Sequence, residues 1–354
     1  MVGTRTVRRR QEPGNAADVV LGIESTAHTF GIAIIKGHDV IANITDSFTT
    51  ESGGMIPAKV AQHHGDVYPS ILARALEMAK EKAGIGIDDI RLIAYSEAPG
   101  IGHTLRIGAA VAKSLALRLR VPLVGVNHCI AHLEITRLVT RASDPVLLYC
   151  SGANTQVIAY DEGKYRIFGE TLDTGVGNFL DTLARDMGLG FPGGPKIERL
   201  ALNASADGRT PILISIPYSV KGMDVAFAGL QTNMLHKLKS GEFSKEDLAF
   251  SAQETVFAML VETAERAMAH VGKEELVLGG GVGCNKRLQE MCRIMCEERG
   301  ARFYCPENQY LVDNAAMIAW TGKLMFERGG VRTAVEDAAI KPYERTDDVN
   351  VTWR

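Results

Sequence analysis

Leu147-Leu148-Tyr149-Cys150-Ser151-Gly152-Ala153-Asn154-Thr155 repeats, in kind and order, the earlier stretch Leu21-Gly22-Ile23-Glu24-Ser25-Thr26-Ala27-His28-Thr29. Each is an apolar run ending in small, hydroxyl-bearing and turn-forming residues, which reads as a buried strand delivering a loop. The pairs Leu21/Leu147, Ser25/Ser151, Ala27/Ala153, Thr29/Thr155, Ile32/Ile158, Ala33/Ala159 and Gly37/Gly163 keep one offset of 126 residues. A second correspondence, at an offset of 181, joins Gly100-Ile101-Gly102 to Gly281-Val282-Gly283, Asn127 to Asn308 and His132 to Asp313. The growing offset calls for an insertion in the second half, near residues 189–245. Matched residues on matched elements predict a duplicated α/β domain.

Outward from the repeat, the first copy reads as strands over 19–24, 30–35 and 40–46, a helix over 57–82, a strand over 91–97 and an Ala/Leu-rich helix over 105–119. A further strand over 121–126 leads into Asn127-His128-Cys129-Ile130-Ala131-His132. Ser143-Asp144-Pro145 then breaks the chain. The expected domains are a disordered tail (1–18), lobe I (19–143), lobe II (144–312, with the insertion) and a C-terminal helix and tail (313–354) packing back on lobe I. Turns with several unpaired N–H groups, and helix N-termini, attract anions. Two facing copies therefore enclose a cleft with phosphate-binding loops on both walls. That arrangement resembles the actin-like ATPase (ASKHA) fold of actin, sugar kinases and heat-shock ATPases.

The 354 residues, 46% hydrophobic and 23% charged, fit a globular protein too long for one ordinary core. A net charge of −3 requires any nucleic-acid contact to be local. The six cysteines show no Cys-x-x-Cys pair, which points to a reduced, cytoplasmic compartment. No apolar run approaches a membrane span, so no membrane partner is expected. Arg8-Arg9-Arg10 can touch RNA or simply be solvated, and the same holds for Lys59, Lys221, Lys237 and Lys239.

Three glycine-rich junctions carry candidate nucleotide chemistry. Gly279-Gly280-Gly281-Val282-Gly283-Cys284-Asn285 follows a strand and opens a helix, so the backbone can approach a nucleotide, and Asn285 can bond ribose, phosphate or base. Phe191-Pro192-Gly193-Gly194-Pro195-Lys196-Ile197-Glu198 places Glu198 where a carboxylate can take ribose hydroxyls or merely favour a helix start. In Asp173-Thr174-Gly175-Val176-Gly177-Asn178, the following Asp181 reads alone as a residue complementing a helix dipole. His128 and His132, four apart, share one helical face. They can pack, or share a divalent metal. The repeat sets Asp313 opposite His132, giving two histidines and a carboxylate with open positions, a set suited to iron(II) or zinc. Asp313 as a plain helix N-cap is the competing reading. Tyr149 can offer a phenolate oxygen or touch the nucleotide.

Ile23-Glu24-Ser25-Thr26-Ala27-His28-Thr29, Gly54-Met55-Ile56-Pro57, Asn127-His128-(x3)-His132, Tyr149 to Thr155, Gly279 to Val282, Asp313 to Met317 and Arg345-Thr346-Asp347-Asp348-Val349 occur in this order. From about residue 19 to the end, the set resembles the tRNA threonylcarbamoyladenosine transferase family in its archaeal or eukaryotic form. The resemblance implies an actin-like fold and transfer of L-threonylcarbamoyl from its adenylate to a tRNA adenosine beside the anticodon, with release of AMP. It implies one iron or zinc held by His128, His132, Tyr149 and Asp313. It further implies an adenine nucleotide (threonylcarbamoyl-AMP, ATP or AMP) bound by Tyr149, Cys150, Ser151, Gly152, Ala153, Asp181, Gly194, Glu198 and Asn285. The implied partners are tRNA and the other KEOPS subunits, among them a small atypical protein kinase and a dimerising small subunit. Two residues depart from the family: Ala153 stands where glycine is usual, and His103 where many members have proline. The alternatives are an actin-like ATPase or kinase scaffold, and a metalloprotease. Against the latter, there is no His-Glu-x-x-His, and Cys129 occupies the base position. Glu24 is a candidate proton acceptor.

Overall fold

The computed structural model describes residues 17–50 and 55–354. Arg8, Arg9, Arg10 and most of the expected tail, together with Gly54 of the Gly54–Pro57 motif, lie outside the described residues. Lobe I runs β1 (Val19–Glu24), β2 (Thr29–Lys36), β3 (Asp39–Ser47), α1 (Pro57–Ala83), β4 (Leu92–Ala98), α2 (Gly102–Leu119), β5 (Leu123–Asn127) and α3 (His128–Thr140). Lobe II runs β6 (Val146–Cys150), β7 (Thr155–Asp161), β8 (Lys164–Glu170), α4 (Val176–Asp186), α5 (Gly194–Asn203), β9 (Val220–Lys221), β10 (Asp224–Val225), α6 (Ala228–Ser240), α7 (Lys245–Val271), β11 (Glu275–Gly279), α8 (Lys286–Arg299) and β12 (Arg302–Tyr304). The short α9 (Asn308–Leu311) and α10 (Ala315–Glu327) follow.

The two sheets have one topology. Lobe I orders its strands β3-β2-β1-β4-β5 and lobe II β8-β7-β6-β11-β12. In each, an antiparallel meander is extended by two parallel strands. The duplicated α/β fold expected from the offsets is the observed one. Parallel strands need covered faces, and β1, β5, β6 and β11 are buried along their whole lengths. Between β8 and α7, lobe II carries α4, α5, the β9–β10 hairpin and α6; among the described residues lobe I has α1 and a short 3-10 turn (Ile87–Asp89) between its meander and β4.

Three apolar clusters define five layers. One holds α1 and α2 on the outer face of the first sheet. A second holds α4 to α8 on the outer face of the second sheet. The middle cluster joins Ala33, Leu92 and Val124 of lobe I to Leu147, Ile158 and Val277 of lobe II, through α3 and α10. Every residue of α10 from Ala315 to Phe326 is buried, as expected for a helix without a polar face. It lies very close to the first sheet. A Cβ on Gly22 would sit 2.4 Å from Ala315 O, and one on Gly322 2.4 Å from Ala94 Cβ. The lobes also meet at the far edge, where Phe191 N donates to Thr50 O at 3.1 Å.

Gly322→Ala is expected to lower the urea midpoint by the equivalent of about 1–3 kcal/mol, because overpacking outweighs alanine's better helix propensity. A second prediction concerns pH. Burial, and then the neighbouring His63, pull the His64 imidazole from 6.5 down to about 4. The unfolded chain therefore binds the extra proton first, and stability falls as pH drops from 6.5 towards 4, then levels off. The fall is expected to be about 3 kcal/mol. His64→Gln should flatten this part of a stability-against-pH curve; an unchanged slope would refute the assignment.

Candidate active site

β5 passes straight into α3, and Asn127 makes the junction. Its Oδ1 accepts from Cys129 N at 3.1 Å and Ile130 N at 3.4 Å, capping the helix so that His128 is the first helical residue. His128 and His132 then sit one turn apart on one face, with ring centroids 4.7 Å apart. On the other side, Asn314 rather than Asp313 caps α10, accepting from Met317 N at 3.1 Å. The N-cap reading of Asp313 is thereby answered: its carboxylate is free to turn inward. Asp313 Oδ1 lies 3.4 Å from His128 Nε2 and 3.5 Å from His132 Nε2. Tyr149 reaches in from β6 with its hydroxyl 3.0 Å from His128 Nε2.

Ligands about 2.0–2.2 Å from one tetrahedral or octahedral ion lie roughly 3.0–3.5 Å from each other. The observed separations fall in this range, and the ligand atoms of His128, His132 and Asp313 all lie within 4.8 Å of one another. His132 is fully buried, yet neither ring nitrogen has a hydrogen-bond partner. A buried polar group left unpaired costs about 1–3 kcal/mol, and a ligand bond at Nε2 would pair one of the two nitrogens. The donor set therefore fits a divalent metal.

Glu24, fully buried at the end of β1, explains the orientation of His128. Its Oε2 lies 3.0 Å from His128 Nδ1, while Oε1 accepts from Thr26 N at 2.6 Å and from the Thr26 hydroxyl. A carboxylate cannot donate, so Nδ1 carries a hydrogen and Nε2 is the nitrogen turned to the site, where its lone pair would serve a metal. Both Glu24 oxygens are occupied and shielded, so it acts as a support rather than a base reaching substrate.

The electrostatics agree with a cation at the centre. Burial alone would lower the His128 pKa, but the Glu24 and Asp313 carboxylates beside it raise it well above the ordinary value. Burial works the other way on Asp313, yet His128 holds its carboxyl well below the usual range. At His132 burial prevails and lowers the value. Burial pushes the Tyr149 phenol up, so only a cation against its oxygen would make it a phenolate near neutrality. Burial also raises the Cys129 thiol, a poor stand-in for a protease's general base.

The loops of lobe II surround this site. Gly177 N and Asn178 N at the start of α4 donate to Ser151 O (3.0 Å) and Gly152 O (2.9 Å). Only glycine permits that approach: a Cβ on Gly175 would meet Gly152 O at 2.4 Å, and one on Gly177 would meet Gly152 Cα at 2.7 Å. Asn285 caps α8 through Arg287 N (2.9 Å) and Leu288 N (3.3 Å), and its Nδ2 donates to Gln253 Oε1 at 2.8 Å. Glu198 Oε1 accepts from Lys286 N at 2.8 Å. The helix starts expected to cradle phosphate are thus largely satisfied by the chain itself. Gly194 and Gly281 face open space, with nothing within 4 Å of an added Cβ, and Gly152 and Ala153 are exposed. An extra methyl at Ala153 is therefore sterically tolerable. Asp181 lies in the second turn of α4, not the first; its Oδ1 accepts from Gly193 N at 2.7 Å, and burial raises its pKa. Cys150 turns its side chain into the lobe II core, leaving only its backbone for a ligand.

Sequence reasoning placed the histidines, Tyr149 and Asp313 but missed the Asn127 and Asn314 caps. The signal for both was present, since each Asn precedes an Ala- or Ile-containing helical run. It also missed the support role of Glu24, which depends on a bond across 104 residues and leaves no local trace.

The profile of the family described as tRNA N6-adenosine threonylcarbamoyltransferase matches residues 39–320. A protein of that name from Thermococcus kodakarensis is 52% identical over 335 residues, covering 95% of this chain and 99% of its own. Another, from Methanococcoides burtonii, is 50% identical over 334 residues, covering 94% and 97%. A probable bifunctional tRNA threonylcarbamoyladenosine biosynthesis protein of Methanosarcina acetivorans is 52% identical over 334 residues, covering 94% of this chain and 59% of that longer protein. Among solved structures, T. kodakarensis HypF superposes with a TM-score of 0.61 at 16% identity, over 90% of this chain and 50% of that one. Component A of (R)-2-hydroxyglutaryl-CoA dehydratase from Acidaminococcus fermentans gives 0.51 at 15%, over 87% and 98%. Such low identity speaks to the fold alone, which is of the actin-like ATPase type. With a profile matching most of its length and relatives half identical from end to end, this chain belongs to the tRNA N6-adenosine threonylcarbamoyltransferase family.

Proposed function

We propose that this protein transfers L-threonylcarbamoyl from threonylcarbamoyl-AMP to the N6 amine of the tRNA adenosine beside the anticodon, using one divalent metal, with iron preferred to zinc. The observation that carries this reading is the convergence of His128, His132, Asp313 and Tyr149 between the lobes, with both His132 nitrogens unpartnered. The adenine nucleotide lies on lobe II against Tyr149, Cys150 (backbone), Ser151, Gly152, Ala153, Asp181, Gly194, Glu198 and Asn285. tRNA and the KEOPS subunits complete the working assembly, in the cytoplasm. Among the described residues no helix is long and apolar enough to cross a membrane.

A bound divalent ion supplies Lewis-acid polarisation of the threonylcarbamoyl carbonyl. The chain's own residues do the rest. Glu24 fixes the His128 tautomer, and the open backbone around Gly152, Ala153 and Gly281 takes the phosphate. The adenosine amine attacks the carbamoyl carbon, forming a C–N bond while the C–O bond to AMP breaks. The amine proton leaves to solvent or to the departing phosphate. That amine is a weak nucleophile, so orientation between the two lobes supplies much of the acceleration.

Labelled threonylcarbamoyl should pass from the adenylate to unmodified tRNA in the presence of partner subunits, and chelator should stop it. ATP hydrolysis with no such transfer would overturn the reading. His132→Ala is expected to lose both metal and transfer, and full metal occupancy in that variant would sink the ligand assignment. Glu24→Gln should bind metal about 10–100-fold more weakly while remaining folded.

A further inference from the structure

Beyond α10 the chain doubles back across both lobes. It first follows lobe I, where Thr333 N donates to Leu123 O at 2.8 Å, Lys341 N to Glu97 O at 2.8 Å and Gly100 N to Pro342 O at 3.1 Å. From Arg345 it follows lobe II. Arg345 pairs with Glu170 at 3.0 Å, Lys164 Nζ donates to Asp347 O at 3.2 Å, and Val351 N donates to Gly163 O at 3.1 Å.

Along this path the segment grips α3 at two points. Glu344 Oε2 accepts from Asn127 Nδ2 at 3.4 Å, and Glu344 is itself held by Lys341 at 3.1 Å. Further on, the Trp353 indole N–H donates to Glu134 Oε1 at 3.1 Å. Glu134 is 1% exposed. It also accepts from Arg137 on its own helix at 2.8 Å, and from the Tyr165 hydroxyl of β8. Tyr165 and Trp353 are themselves buried.

The position of Glu134 on α3 matters. It lies two residues beyond His132, about 200° around the helix, so it projects from the face opposite the two histidines. The apolar contacts that bury α3 between the sheets are non-directional, and the Asn127 cap and the Glu24 bond hold only its first turn. Hydrogen bonds to a buried carboxylate are directional and fix the helix rotation.

We propose that Glu134 and Trp353 are positioning residues for the metal face of α3. The C-terminal segment, through the indole N–H on the Glu134 carboxylate, sets the helix rotation that aims His128 and His132 at Asp313 and Tyr149. This rests on the metal reading above.

The test uses the full chain with Co(II) as probe, measuring affinity by chelator competition and ligand geometry from the visible spectrum. Trp353→Phe keeps the buried ring and removes the donor. It is expected to weaken Co(II) binding about tenfold and to alter the spectrum. Ile71→Val, in the outer layer of lobe I, loses stability without touching α3 and should bind Co(II) as the unaltered chain does. If Trp353→Phe does not fold, Tyr165→Phe removes another donor to the same carboxylate and should give the same two changes. Affinity and spectrum unchanged in a folded variant would overturn the positioning role alone. An unaltered chain that does not bind Co(II) would overturn this inference and the metal reading together.

Discussion

Two helices, α3 and α10, lie between two sheets, buried from His128 to Thr136 and from Ala315 to Phe326, and most of what is distinctive about the molecule follows from that burial. A polar side chain in this layer must find a partner or remain costly. Glu24 finds His128 and Thr26; Glu134 finds Tyr165, Trp353 and Arg137; Lys323 finds Ala17 O at 2.8 Å and the Glu327 carboxylate at 2.5 Å. His132 finds nothing. Trp320 Nε1 and Thr321 Oγ1 of α10 are unpartnered as well, but only the imidazole faces a carboxylate and a second imidazole, where a cation would pair it.

The same packing dictates where small residues must stand. α10 approaches the first sheet over Gly22 and Gly322, and the start of α4 approaches the Ser151–Asn154 turn over Gly175 and Gly177. These glycines remove side chains so that backbone can meet backbone. Others, such as Gly194 and Gly281, open onto space and leave peptide groups exposed. One residue type thus serves two ends in one cleft, and only its neighbours tell them apart.

Electrostatics couple the two lobes. Asp313 and the histidines come from the middle layer and Tyr149 from the second sheet, its hydroxyl 3.0 Å from His128 Nε2, so the four side chains meet only with the lobes closed together. The C-terminal segment holds that closure from behind, with bonds to lobe I before Arg345 and to lobe II after it. Any affinity for a cation at the proposed site is therefore linked to the relative setting of the lobes.

Much of this was legible in the chain itself. The constant offsets between Leu21 and Leu147, and between His132 and Asp313, record a duplication, and duplicated topology follows because repeated hydrophobic patterns bury in repeated ways. The strand and helix periods gave most element bounds to within a few residues, and helical spacing alone put His128 and His132 on one face. The resemblance then implied the candidate ligand set of His128, His132, Asp313 and Tyr149. The sequence could not tell whether Asp313 capps a helix or turns inward, because that depends on Asn314 taking the cap. Nor could it show that Asn285 and the α4 start are satisfied by the chain's own groups, that Glu24 stands behind His128, or that Trp353 reaches Glu134 across 219 residues. Local pattern fixes which face a side chain occupies; which atom meets it there is set by distant segments, brought together only when the two lobes close on their shared middle layer.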